Sequence, residues 1–90
     1  MQEDLEIRIK RLKYRSWHRG TKELDLVIGN FADKNLDQMT VAEIDQFEAI
    51  IEEDEFDIYN WLTRKDAVPE QHQNVIMERL LMFELVERSE

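Results

Sequence analysis

Two glycines and one proline are the whole supply of these two turn-forming residues in a chain of 90. A chain so poor in reversals, with no alternating polar and apolar run long enough for a strand, is expected to be all-α. Five helices are predicted. The first covers about residues 4–16, with Leu5, Ile9 and Leu12 at i, i+4 and i+7 as a core stripe. Arg8, Arg11 and Arg15 then form a basic stripe on another face. Gly20 interrupts the pattern, and a second helix is predicted over 21–33, with Leu24, Val27, Ile28 and Phe31 inward. Thr40-Val41-Ala42-Glu43 has the S/T-x-x-E form of a capping box and predicts a third helix over 41–52, burying Ile44, Phe47 and Ile51. Glu52-Glu53-Asp54-Glu55 closes it and opens a short helix over 55–63, where carboxylates favour the positive end of the helix dipole. That helix is expected to bury Phe56, Tyr59 and Leu62. After a loop from Lys65 to Val68, Pro69 is placed in the first turn of a fifth helix over 69–87, carrying Val75, Ile76, Leu80, Phe83 and Val86, with fraying from about Glu87. Short connections imply a compact five-helix bundle.

Ninety residues are expected to make a single domain, 1–90. A domain of this size buries only about 60 to 65% of its unfolded surface, which leaves little room for a cofactor cavity beside a core. There is no cysteine, so disulfides, thiolate metal sites and cysteine nucleophiles are excluded and a reducing compartment is expected. Cytoplasm fits, and a processed protein of the mitochondrial matrix reads the same way. No apolar run approaches the roughly 20 residues that cross a bilayer. Met1-Gln2-Glu3-Asp4 is too acidic for a signal peptide, so the chain is expected to be soluble, without membrane insertion. The lack of a long apolar heptad seam favours a monomer.

Charge is strongly segregated. Seven of twelve basic residues lie between Arg8 and Lys22, so residues 1–22 carry a net +4 and residues 23–90 a net −13. This suits a docking site for a particular partner better than adhesion to a polyanion. A basic first helix offers several cations for phosphates, but the remaining −13 argues against nucleic acid as the partner. Catalysis is poorly supported. Ser16 and Ser89 are the only serines, His18 and His72 fall on different predicted elements, and no phosphate loop or metal-ligand spacing occurs. The many carboxylates read as a solvated face.

Tyr14-Arg15-Ser16-Trp17-His18-Arg19-Gly20-Thr21-Lys22-Glu23-Leu24-Asp25, then Phe31-Ala32, Asp45-Gln46-Phe47-Glu48 and Asp57-Ile58-Tyr59-Asn60-Trp61-Leu62, resemble the succinate dehydrogenase assembly factor family, the bacterial FAD assembly factors and their mitochondrial counterparts. The similarity covers nearly the whole chain in order, with Arg-Gly-x-x-Glu as its signature. It departs at Arg64, where many members have glycine. The family's proteins are five-helix bundles. Its members bind the flavoprotein subunit of succinate dehydrogenase, and in some bacteria that of fumarate reductase, and promote covalent attachment of FAD to a histidine of that subunit.

The resemblance implies a chaperone-like factor that is not an enzyme. The chain's small size argues for no tightly bound cofactor and at most transient contact with the client's FAD. The resemblance also implies a partner surface. Gly20 at the bend is expected to take φ > 0 and to admit the client's backbone. Arg19 offers a planar donor fork. Glu23 either organises the loop, by pairing with Arg19 or capping backbone donors, or meets the client. Arg15, Trp17, His18 and Asp25 flank the motif as contacts, with Trp17 packed over the helix junction as the structural alternative. Tyr59 and Trp61 are expected to be half core and half exposed, Met77, Met82 and Phe83 to fill the core, and His72 to lie on the surface. A regulatory, antitoxin-like factor acting on other cytoplasmic proteins through the same surface is the alternative.

Overall fold

The computed structural model describes the backbone of residues 4–89 and the side chains of residues 4–84, so Val86 lies outside the described side chains. The all-α expectation holds: the described residues form five α-helices and two short 3₁₀ turns. They fall into two compact units, Met1–Met39 and Thr40–Glu90. No helix among the described residues is long and apolar enough to cross a membrane.

The first unit is a helical hairpin. Helix α1 (Leu5–Trp17) starts at Asp4, whose Oδ1 accepts the Glu6 N–H at 2.8 Å. Leu12 is buried, and so is Ser16, whose hydroxyl donates to the Leu12 carbonyl at 2.7 Å. The predicted stripe is displaced: Leu5 is 45% exposed and Ile9 half-buried. Burial along α1 increases from its first turn, where Leu5 is exposed, to Leu12 and Ser16, which are buried. Arg8, Arg11 and Arg15 are half-buried and engaged within the protein, not a solvated stripe. Helix α2 (Lys22–Asn35) is capped by Thr21, whose Oγ1 accepts the Leu24 N–H at 3.3 Å. Leu24, Ile28 and Phe31 are buried as expected, with Val27 half-buried. A 3₁₀ turn, Leu36–Gln38, extends α2, and Lys13 pairs with Asp37 at 2.8 Å.

The second unit opens with α3 (Val41–Ile51) and a complete capping box. Thr40 N–H donates to Glu43 Oε1 at 2.9 Å, and Glu43 N–H donates to Thr40 Oγ1 at 3.1 Å. The Thr40 N–H, helped by Arg79 at 3.3 Å, holds the Glu43 carboxyl below its ordinary pKa of 4.5. Ile44, Phe47, Ile50 and Ile51 are buried.

Helix α4 (Glu55–Leu62) is capped by Asp54, so the acidic run does mark its start. Its buried residues are Ile58, Trp61 and Leu62, not Phe56, which is 72% exposed. At about 100° per residue, Phe56 lies roughly 200° around the helix from Ile58, on the opposite side from that cluster. Trp61 is accordingly 7% exposed, not half core, while Tyr59 is half-buried.

Arg64 comes after α4 at φ 64°, the left-handed position that glycine favours. Lys65 N–H donates to the Asn60 carbonyl and Arg64 N–H to the Trp61 carbonyl, so the reversal that ends α4 forms without glycine. The guanidinium compensates by donating to the Leu62 and Leu81 carbonyls and to the buried Glu84 at 3.1–3.3 Å.

Helix α5 (Val75–Ser89) starts six residues later than expected. Proline fixes φ alone. Pro69 has φ −64° but an extended ψ of 154°, and a 3₁₀ turn, Glu70–His72, comes next. The start signal is Asn74, whose Oδ1 accepts the Met77 N–H at 2.9 Å. Ile76, Met77 and Leu80 are buried, Phe83 is half-buried, and Val75 and Met82 are exposed, so Met82 is not core filler. His72 is not a surface residue: it is 5% exposed, its Nε2 lies 2.6 Å from Glu53 Oε2, and its ring is 5.5 Å from that of Trp61.

Three outcomes are expected in urea unfolding. Thr40→Ala should cost about 1 kcal/mol, the usual value of such a cap. The Glu43 contribution is present at neutral pH and is lost as pH falls through its lowered pKa, so the gap between wild type and Glu43→Ala should narrow in acid. At Arg64, both Ala and Gly remove the guanidinium contacts, but only Ala keeps a Cβ at φ 64°. Arg64→Ala should therefore be about 1 kcal/mol less stable than Arg64→Gly.

Candidate functional site

The connection between α1 and α2 is built from backbone-directed bonds. Helix α1 ends as the His18 N–H donates to the Arg15 carbonyl at 3.2 Å. His18 Nδ1 lies 2.7 Å from the Tyr14 carbonyl. A carbonyl only accepts, so Nδ1 carries the hydrogen of this bond, and in the neutral ring that leaves Nε2 as an acceptor. The His18 ring stacks on Tyr14 with centroids 4.1 Å apart and planes 22° apart. Both side chains are exposed, so an aromatic pair stands on the surface beside the bend.

Gly20 has φ 109°, as expected of a glycine placed at the bend. An L side chain there strains the backbone, whatever the space around it. The group that organises the loop is Asp25, whose Oδ1 accepts the Arg19 N–H. This role was open to Glu23, which is instead exposed in the first turn of α2. Asp25 wins on position: three residues beyond Lys22, the first residue of α2, it is half-buried beneath the bend. Arg19 is half-buried, with its Nε out of solvent contact, and Arg15 is half-buried too.

Trp17 takes a framework role that sequence only offered as an alternative. Its Nε1 donates to Asp33 Oδ2 at 3.1 Å, and its fused ring lies over Gly29 of α2. A Cβ at position 29 would collide with Cδ2, Cε2 and Cε3 of that ring. Gly29 therefore sits inside a helix, where glycine costs stability, because the indole occupies the space of its missing side chain. An isolated glycine in a helical pattern was the available signal. Gly29 and Asp33 are the residues that sequence reasoning gave no part in the site, and Tyr14, which opens the motif, was given no role.

Arg15, Trp17, His18, Arg19, Gly20, Glu23 and Asp25 thus share one hairpin connection. Tyr59 and Trp61 belong to the other unit. Trp61 is buried, and Tyr59 offers a half-exposed ring with Lys65 Nζ 5.2 Å from its centroid. Among the described residues, no group of three or more His, Asp or Glu side chains is placed to hold a metal ion.

Residues 10–84 match the family model described as flavinator of succinate dehydrogenase. The chain is 35% identical over 80 residues to the FAD assembly factor SdhE of Acetobacter pasteurianus, spanning 89% of this chain and 73% of that protein. It is 41% identical over 68 residues to the mitochondrial succinate dehydrogenase assembly factor 2 of Scheffersomyces stipitis, covering 74% of this chain and 46% of that protein. With the factor of the same name from Yarrowia lipolytica it shares 35% over 92 residues, 98% of this chain and 62% of the other. The chain therefore spans less than two thirds of the length of these mitochondrial relatives.

Gly29→Ala should displace the indole. Overpacking of this kind costs about 1–3 kcal/mol, and it should separate Trp17 from Asp33. The check is urea unfolding monitored by tryptophan fluorescence. A variant as stable as wild type with an unchanged emission spectrum would refute the packing assigned to Trp17.

Proposed function

The chain belongs to the family described as flavinator of succinate dehydrogenase, and from that premise we propose that it is an assembly factor that binds the enzyme's flavoprotein subunit and promotes covalent attachment of FAD to it. The observation that carries this reading is the preorganised α1–α2 connection: Gly20 at φ 109° and Arg19 tethered through its backbone N–H to Asp25. A backbone without a side chain at Gly20 lets another chain approach closely, while Arg19 and the exposed His18 ring supply donors and an acceptor beside it.

In this reading the chain is not an enzyme. The nucleophilic histidine and the flavin both belong to the client, and the helper holds a client conformation in which they meet. Holding reacting groups in near-attack geometry removes a large part of a barrier, up to about 7–11 kcal/mol in the best intramolecular cases, with no chemistry by the helper. FAD is cargo of the client, touched at most transiently. Arg15, Arg19, Gly20 and His18 form the contact, with Tyr59 at a second place. Trp17 and Asp25 act chiefly by fixing the connection's shape, and Glu23 is left to meet the client. A fumarate reductase flavoprotein subunit is a second client of the same chemistry, and a monomer acting in cytoplasm or matrix suffices for the task.

The test is covalent flavin on the client subunit, read as fluorescence of the denatured band. Cells lacking this protein are complemented with wild type, Gly20→Glu or Arg19→Ala. Wild type should restore the signal, and the variants, shown to be folded by circular dichroism, should reduce it at least tenfold, a loss of about 1.4 kcal/mol or more. Full flavinylation in the absence of the protein would overturn the proposal.

A further inference from the structure

The first turn of α4 carries an exposed aromatic side chain that neither the core nor the α1–α2 connection uses. Phe56 is 72% exposed, opposite the buried cluster of Ile58, Trp61 and Leu62. Tyr59, three residues on, adjoins it on the helix surface, half-buried. The ring of Tyr59 already receives one cation, the Lys65 ammonium at 5.2 Å.

The surroundings of Phe56 are strongly anionic. Within the second unit, the stretch from Thr40 to Thr63 has eight carboxylates and no Lys or Arg, and of these Glu43 is paired with Arg79. Near the turn Asp54 caps α4, Glu53 is bonded to His72, and Glu52 is also engaged within the protein. Glu52 and Asp57 are exposed and Glu55 half-buried around the Phe56 position. Residues 40–90 carry fourteen acidic and four basic side chains. Such a field repels nucleic acid and anionic lipid. It also disfavours a second copy of a chain whose net charge is −9. The field instead attracts a cationic protein surface, and an exposed aromatic ring within it anchors in an apolar pocket lined by Arg or Lys.

We infer that Phe56 and the carboxylates around it form a second docking surface, separate from the α1–α2 connection, that takes a basic, pocketed surface of the client flavoprotein. This rests on the assembly reading. Two contacts borne by one chain gain from effective concentration, so a modest second contact raises the overall affinity without new groups at the first.

The test measures binding of the purified flavoprotein subunit by titration calorimetry at low and high salt. The variants are Phe56→Ser and the double Glu55→Gln/Asp57→Asn, with Arg19→Ala as a marker of the first surface and thermal unfolding as a check on folding. Phe56→Ser should weaken binding about tenfold or more, as loss of a buried aromatic anchor does. The double variant should weaken binding at low salt and flatten its salt dependence. Unchanged affinity in both, with binding lost in Arg19→Ala, would overturn this inference and leave the assembly reading standing. No binding by wild type would overturn both. A concentration-dependent dimer of the free chain in sedimentation, abolished by Phe56→Ser while client affinity is unchanged, would assign the patch to a second copy and overturn the inference too.

Discussion

The indole of Trp17 can lie on α2 only because position 29 has no side chain. That contact sets where α1 ends relative to α2 and therefore where the connecting residues begin. The Trp17 N–H to Asp33 fixes the ring's orientation, and the buried Ser16 hydroxyl, bonded to the Leu12 carbonyl, lets the neighbouring face of α1 close without an orphaned donor. Both glycines of the chain thus serve one hairpin: Gly29 admits the ring, and Gly20 supplies the left-handed backbone that turns the chain back. Everything the connection presents to a partner depends on that pair of positions.

Several elements were legible because their signals are local. The Thr40–Glu43 capping box, the inward face of α2 and the need for φ > 0 at Gly20 each rest on a few adjacent residues, and each formed as expected. Other features were decided by tertiary contacts. Helix α4 has eight residues, little more than two turns, and apolar groups all round it, so periodicity alone cannot choose between a face with Phe56 and one with Ile58 and Leu62. At Pro69 the ring fixes φ as expected, but ψ is free of the ring and turns out extended, and the better start signal is Asn74 ahead of Val75-Ile76. His72 is illegible from its neighbours because a histidine between polar residues looks solvated until Glu53 and Trp61, distant in sequence, are brought to it.

Charge was legible as a total and misleading in detail. The excess of cations in residues 1–22 suggests an open basic stripe. In the folded hairpin Lys13 is tied to Asp37, Lys10 lies 3.9 Å from Glu6, and Arg8, Arg11 and Arg15 are half-buried. The long methylene stems of such residues cover apolar surface while their heads find partners, so a count of cations overstates the field they project. Between Lys34 and Arg64 no cation interrupts nine carboxylates along the sequence. Yet in the fold Lys13 reaches Asp37 and Arg79 reaches Glu43, so there too the count overstates the field.

The α1–α2 connection is held by bonds that salt affects little. His18 to the Tyr14 carbonyl, Asp25 to the Arg19 N–H and Thr21 to the Leu24 N–H all join a side chain to the backbone at hydrogen-bond distance. Screening over a Debye length of about 8 Å at physiological ionic strength weakens attraction between distant exposed charges far more than contacts of this kind. Shape and attraction are therefore separable in this protein. Ionic strength tunes how strongly the charged surfaces draw the partner proposed above, while the backbone geometry at Gly20 and Arg19 stays fixed. The assembly role proposed for this chain would need this division, because positioning loses its value if the template deforms under the conditions that regulate encounter.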